Sequence, residues 1–199
     1  MSRVVHSEGM AVLAIGGSAS VGKTTLASRI VERLRLDCVV HVDDLSARAA
    51  VSDGPSFIDT TPNVWTKPVT WLRDALIAST RSLRPVITAE IDAMVAHGAG
   101  GVIEGEGLEP QLFRRWPDSL VRPVYVIEDD APRLHETFAR RESGARFLAL
   151  PGREQEAVVE MNRAYGLWLR RQAERYAQPW VAAYPWETLP DRALRSYVS

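Results

Sequence analysis

The stretch Gly16-Gly-Ser-Ala-Ser-Val-Gly-Lys-Thr-Thr25 constrains this chain more than any other, because Gly17, Gly22, Lys23 and Thr24 fill every fixed position of the pattern G-x-x-x-x-G-K-[ST]. Glycines at those places let the backbone curl around an anion with its N–H groups turned inward. The lysine brings an ammonium to the outer phosphate oxygens, and the threonine hydroxyl is placed to ligate magnesium. The flanks agree with the motif. Met10-Ala-Val-Leu-Ala-Ile15 is an apolar run of buried-strand type, and Leu26, Ile30 and Leu34 recur at four-residue steps, as on an amphipathic helix. Strand, glycine-rich loop and helix is the order in which a helix N-terminus offers its partial positive charge to phosphates. The loop is therefore expected to hold a nucleoside triphosphate, ATP with Mg2+, through Gly17, Ser18, Ala19, Ser20, Val21, Gly22, Lys23, Thr24 and Thr25.

Composition sharpens this expectation. Lysine occurs only at 23 and 67 among 24 basic residues, so a chain that otherwise uses arginine keeps a compact ammonium where phosphates would crowd it. With 199 residues, 46% of them hydrophobic, the chain is long enough to bury the core of one α/β domain. A net charge of -1 gives no electrostatic case for nucleic acid or an anionic membrane as partner. Cys38 has no second cysteine to pair with and lies in the apolar run Cys38-Val-Val, which predicts a buried strand thiol without a catalytic part. The apolar run at 10–15 is too short to span a bilayer and continues into the phosphate loop without a cleavage-type site, so a cytoplasmic protein is expected. Oligomeric state is not indicated.

The rest of the chain reads as alternating strands and helices. Residues 1–9 suggest a flexible arm, and Asp37 to Val42 a second buried strand ending on Asp43-Asp44. Residues 46–68, rich in Ser, Asp, Gly, Pro and Thr, predict a loop-dominated insertion. Helices are expected at 68–83 and 85–97, the second opened by Pro85 and closed by Gly98. Strands follow at Gly101–Gly105 and Arg122–Ile127, then a helix capped by Asp130 and running to about Arg141. A polar stretch at 142–153 precedes a long helix, and Trp180 to Ala183 predicts a last strand before a short terminal helix. This alternation implies right-handed crossovers and a five-stranded parallel sheet covered on both faces, with ligands at the carboxyl edge.

Moving a phosphoryl group to an alcohol requires a carboxylate for the hydroxyl proton, a metal on the phosphates and cations on the transferred group. Asp43 is the first candidate for orienting the acceptor hydroxyl, with Asp44 beside it. The alternative is that the pair merely caps the following helical turn. Glu104, ending an apolar strand, suits the magnesium side together with Thr24. Glu106 and Glu109 read as loop surface or substrate contacts. Arg140, Arg141 and Arg146 could reach the β- and γ-phosphates from a closing flap. Arg48, Trp65, Lys67 and Arg73 are candidates for a substrate pocket, with Trp71 divided between that pocket and the core.

These motifs together resemble the P-loop small-molecule kinases: the loop at 16–25, His-Val-Asp-Asp-Leu at 41–45, Val-Ile-Glu-Gly at 102–105 and Arg-Arg-Glu-Ser-Gly-Ala-Arg at 140–146. The nearest types are the uridine kinase and nicotinamide riboside kinase group and the 2-phosphoglycerate kinase-like proteins. The resemblance implies a P-loop NTPase fold, a base role for Asp43, a magnesium-side role for Glu104, and phosphate contacts for Arg140 or Arg141 and for Arg146. Residues 46–84 are read as the substrate-binding region, although that stretch matches no substrate pocket of those kinases, and 140–156 as a lid; related folds hold adenine at the position of Tyr184–Pro190. Leu45-Ser46 replaces the aromatic pair those kinases carry after the aspartates, which leaves the hydroxyl acceptor open among nucleosides, sugars, phosphorylated acids and antibiotic-like compounds. Two other functions fit the same motif: an ATPase switch acting on a protein partner, and a zeta-toxin-type kinase of nucleotide sugars. No Asn-Lys-x-Asp element is present, which argues against a guanine-specific switch.

Overall fold

The computed structural model describes residues 12–48, 57–98, 100–141 and 143–198. The expected arm at 1–9, the first two residues of the apolar run and Ala49 to Ser56 of the insertion lie outside them. Five strands run parallel in the order β2-β3-β1-β4-β5. They are β1 (Val12–Gly17), β2 (Cys38–His41), β3 (Gly101–Gly105), β4 (Val121–Ile127) and β5 (Trp180–Ala182). The three central strands are buried almost throughout, which is why they read as continuous apolar runs rather than alternating ones.

Helices cover both faces, and the period-two alternation of β1 decides which residues meet which layer. Val12 and Ala14 face α4 (Val69–Ser82), α5 (Arg84–His97) and α8 (Gly152–Arg175) in a core with Leu72, Ile87, Ile91, Tyr165 and Leu169. Leu13 and Ile15 face α1 (Lys23–Leu34), α6 (Ala131–Arg140) and α9 (Leu189–Val198) in a second core with Leu26, Ile30, Leu134, Phe138 and Ala193. Short helices α2 (Val42–Arg48), α3 (Phe57–Thr60) and α7 (Gly144–Leu148) fill the connections. The chain leaves β1 toward β2 on one side and leaves β3 toward β4 on the other, so the neighbouring loops after β1 and β3 diverge. A crevice opens at that switch point, at the carboxyl ends of the strands.

Much of the expected punctuation is present. Pro85 lies in the first turn of α5, Gly98 closes it with φ 62°, and the Asp130 carboxylate accepts the Arg133 N–H at 2.9 Å to cap α6. Two expectations fail at β2. The strand ends at His41, and Asp43 and Asp44 stand in the first turn of α2, which begins directly at buried Val42, packed against Gly105. Cys38 is exposed, since β2 is an edge strand with one neighbour. Partial burial pushes its thiol pKa up, helped by Asp37 and Glu90. The 142–153 stretch is not simply loop, because α7 forms there with Phe147 stacked on Phe138.

Gly16 shows how tightly the sheet is packed beneath the loop. A Cβ there would meet the Tyr125 ring at 2.7 Å and the Leu108 carbonyl oxygen at 2.9 Å. Gly16→Ala should therefore cost about 1–3 kcal/mol in urea unfolding. At Gly152, the first residue of α8, a Cβ would meet nothing within 4 Å, and Gly152→Ala should be neutral or stabilising by less than about 1 kcal/mol.

Candidate active site

The loop between β1 and α1 carries the site. Ser20 at φ 62° and Gly22 at φ 85° take left-handed conformations, the backbone from which concave anion-binding nests are built. Gly22 is the N-cap of α1 and supplies no side-chain oxygen, and no acidic residue stands in the first turn. The first amides of α1 therefore have neither an intrahelical acceptor nor a side-chain cap. They and the helix dipole are left for an anion. Ser18 and Val21 turn their side chains into the protein, so their part toward a ligand is limited to the backbone. Lys23 Nζ donates to the Ser18 carbonyl at 2.7 Å, which holds the ammonium over its own loop.

α8 braces this loop from behind. Asn162, 3% exposed, accepts the Ala19 N–H on Oδ1 at 3.2 Å and donates through Nδ2 to the Val158 carbonyl at 2.9 Å. Nothing in the motif pointed to Asn162; the one signal was a buried polar residue in an otherwise apolar helix face.

Ala19, Ser20, Gly22 and Lys23 to Thr25 line a cleft of about 420 Å³ with Asp43, Glu104, Gly105, Glu106, Thr137 and Arg141. Parallel pairing of β1 with β3 sets Ile15 beside Glu104, and pairing of β2 with β3 sets His41 on its other side. Glu104 Oε1 accepts the Thr24 hydroxyl at 2.9 Å and lies 2.7 Å from His41 Nδ1. A carboxylate can only accept, so the imidazole carries its proton on Nδ1. Hard oxygens of Thr24 and Glu104 at a helix N-terminus suit magnesium, which usually combines one or two protein oxygens with phosphates and water. Among the described residues no cluster of three or more His, Cys, Asp and Glu side chains could hold a metal by itself, so phosphate and water would have to complete the shell.

Glu106 follows on the same strand end. Its Oε1 is buried without a hydrogen-bond partner. Burial pushes its carboxyl pKa up and Asp43 adds to this, while Lys23, the Ala19 amide and Arg141 act the other way. Glu109, expected at the surface or against substrate, is buried instead and binds Arg81 at 3.0 Å and Arg84 at 2.6 Å. Those two guanidiniums make its burial tolerable.

The structure divides the other candidates. Arg141 lines the cleft, with Nη1 3.3 Å from Ser20 Oγ, whereas Arg140 points to solvent and pairs with Glu136 at 3.6 Å one helical turn back. Arg146 is exposed on α7 and is not among the cleft-lining residues. Asp43 lines the cleft, but Asp44, on another side of α2, lines a separate open pocket with Cys38, His41 and Glu90. Trp65 packs against both cores, Arg73 is held by Asp74 at 2.7 Å, Lys67 is exposed, and none of the three lines the cleft. Trp71 is 40% exposed and meets Phe57 edge-on. Arg48 closes α2, and its side chain lies outside the described residues.

A second pocket of about 250 Å³ shares Ser20, Gly22, Thr25 and Thr137 with the cleft and adds Leu26, Arg29, Trp186, Leu189 and Pro190. Trp186 lies against the loop so closely that a Cβ on Gly22 would meet its ring at 2.6 Å. Trp186, Leu189 and Pro190 thus stand beside the loop between β1 and α1.

No protein-family model and no curated protein matches this sequence. Solved structures do. The chain is similar to a gluconokinase from Sinorhizobium meliloti 1021 with a TM-score of 0.56 and 12% identity, over 97% of this chain and 94% of that one. It is similar to a sugar kinase from Janibacter sp. HTCC2649, also at 0.56, with 17% identity over 94% and 93% of the two chains. An uncharacterized protein from Eubacterium ventriosum ATCC 27560 gives 0.54 and 14% identity over 95% and 98%. The fold is therefore that of the P-loop kinases, a five-stranded parallel sheet with helices on both faces.

The His41–Glu104–Thr24 contact yields a test. His41→Ala should weaken binding of a non-hydrolysable ATP analogue about tenfold in magnesium and leave it unchanged in EDTA, as loss of a group that orients a metal-side ligand does. His41→Asn keeps an N–H donor at the position of Nδ1 and should recover most of the loss by calorimetry.

Proposed function

We propose that this protein is an ATP- and magnesium-dependent phosphotransferase that moves the γ-phosphoryl group to a hydroxyl of a small molecule. The observation that carries the reading is the presence of Asp43 and Arg141 in one cleft with the loop and with Glu104. A carboxylate and a guanidinium facing a phosphate loop are the two groups that transfer to an alcohol needs beyond nucleotide binding. The sugar kinase and gluconokinase named above share the fold, which is compatible with this chemistry.

In this reading the loop amides and Lys23 hold the phosphates, and Trp186 flanks the base. Thr24 and Glu104 would hold magnesium, which supplies neutralising charge on the phosphate oxygens. Asp43 accepts the proton of the acceptor hydroxyl as its oxygen bonds to the γ-phosphorus, and the bond from that phosphorus to the bridging oxygen breaks to release ADP. Arg141, at the end of α6 where the chain enters the 140–156 segment, stabilises the charge on the transferred group. That segment would act as a lid excluding water, the competing acceptor. The whole of 1–199 forms one kinase-like domain in this reading, with 46–84 against the acceptor. Among the described residues no helix is long and apolar enough to cross a membrane, and the reading places the protein in the cytoplasm. The base role for Asp43 follows the nucleoside-kinase resemblance, although its position here is the first turn of a helix rather than a strand end.

Acceptor-dependent ADP release tests the proposal. A purified enzyme should release ADP rapidly with its acceptor and slowly without it, whereas an ATPase switch would respond to a protein instead. Asp43→Asn should lower kcat about 100-fold or more with nucleotide affinity nearly intact. Lys23→Ala should impair both binding and turnover. Arg141→Ala should lower kcat by about 100-fold and Arg140→Ala by less than about twofold, a contrast the sequence alone does not provide.

A further inference from the structure

The segment that joins β5 to α9 is clamped by one side chain. Arg192, near the start of α9, reaches back over it: Nη1 donates to the Ala182 carbonyl, and Nη2 to the carbonyls of Pro185 at 2.8 Å and Ala183 at 3.3 Å. Its Nε donates to the Thr188 hydroxyl at 3.2 Å, and that hydroxyl donates onward to the Pro185 carbonyl at 3.3 Å. All three nitrogens of a rigid fork therefore act on residues 182–188, an arrangement that the single ammonium of a lysine cannot reproduce. The helix behind the clamp is itself fixed. Leu189 and Ala193 are buried in the second core, and Asp191 pairs with Arg33 of α1.

What the clamp carries is Trp186. Its ring lies against Gly22, the N-cap of α1, and lines the pocket of about 250 Å³ beside the loop. Tyr184, two residues earlier, is held from another side by Arg133 of α6, whose guanidinium carbon stands 4.3 Å from the ring centroid. Thr137 and Arg141 follow Arg133 at four-residue steps on that helix; Thr137 lines both pockets and Arg141 the cleft. Arg192 lines neither. An indole on an irregular segment has no fixed plane of its own, and a stacking surface needs one.

We infer that Arg192 is a positioning residue for the nucleotide: it pins residues 182–188 so that the Trp186 ring stands in one place beside the loop, and the base of the triphosphate stacks on that ring. The inference rests on the phosphotransferase reading, and adds to it a residue that acts on the base only through another side chain. It separates two parts of nucleotide binding. The loop grips phosphates whether or not Arg192 is present, and the base is held only when it is.

The test is calorimetry in magnesium with two probes, a non-hydrolysable ATP analogue and inorganic tripolyphosphate, which offers the loop its phosphates without a base. Arg192→Ala should weaken the analogue about tenfold and tripolyphosphate by less than about twofold. Trp186→Ala should cost the analogue a similar factor, and adding Arg192→Ala to it should cost less than about twofold more, because both act through one ring. Arg192→Lys, which keeps the charge and the helix, should still weaken the analogue about fivefold, and it is read in place of the alanine variant if thermal melting shows that one unfolded. Equal losses for the two probes, additive losses in the double variant, or wild-type affinity in Arg192→Lys would overturn the inference and leave the phosphotransferase reading standing. Binding of neither probe by the wild-type protein would remove that reading and the inference with it.

Discussion

The first turn of α1 presents backbone amides for which no acceptor is found among the described residues, and the rest of the site is arranged around that fact. Gly22 caps the helix without a side-chain oxygen, and Ser20 and Gly22 take the left-handed conformations that bend the loop into the helix. Ordinary helices satisfy these N–H groups with Ser, Thr, Asp or Asn. Glycine in that place costs only about a few tenths of a kcal/mol against such a cap, and it leaves the amides for an anion. Everything near the loop then serves to hold it still: Asn162 on Ala19, Trp186 against Gly22, and the Tyr125 ring beneath Gly16.

Sheet topology explains how distant residues join this loop. Thr24 and Glu104 are 80 positions apart and His41 and Glu104 63 apart, yet register places all three in one hydrogen-bonded group. β3 lies between β1 and β2, so a side chain at its carboxyl end meets the loop on one hand and the β2 exit on the other. Diverging crossovers keep the space above this edge open. The cleft is thus a consequence of strand order, and its carboxylates come from the residues that end β3 and open α2.

The sequence made the fold and the glycine-containing loop into α1 legible because their signals are local. Motif spacing, apolar runs, Pro85, Gly98 and the Asp130 cap each act within a few residues, and the elements appear where those signals put them. What the sequence hid depends on partners far along the chain. Arg140 and Arg141 look alike in a list of residues, but the end of α6 sends one to Glu136 and the other to the cleft. Asp43 and Asp44 diverge for the same reason, since adjacent residues on a helix point about 100° apart. Glu109 looked superficial because nothing near it announces Arg81 and Arg84, and Cys38 looked buried because an apolar run does not reveal that its strand lies at an edge.

The account stands on the loop amides as the grip on a polyphosphate. Nitrogen-15 NMR of the labelled protein, titrated with a non-hydrolysable ATP analogue in magnesium, reads those amides directly. Large saturable shifts at Gly22, Lys23, Thr24 and Thr25 are predicted, with Asn162 and Trp186 side-chain signals moving as their loop contacts adjust. Unchanged positions for all four amides at millimolar concentrations of ATP, GTP, CTP and UTP analogues would contradict it.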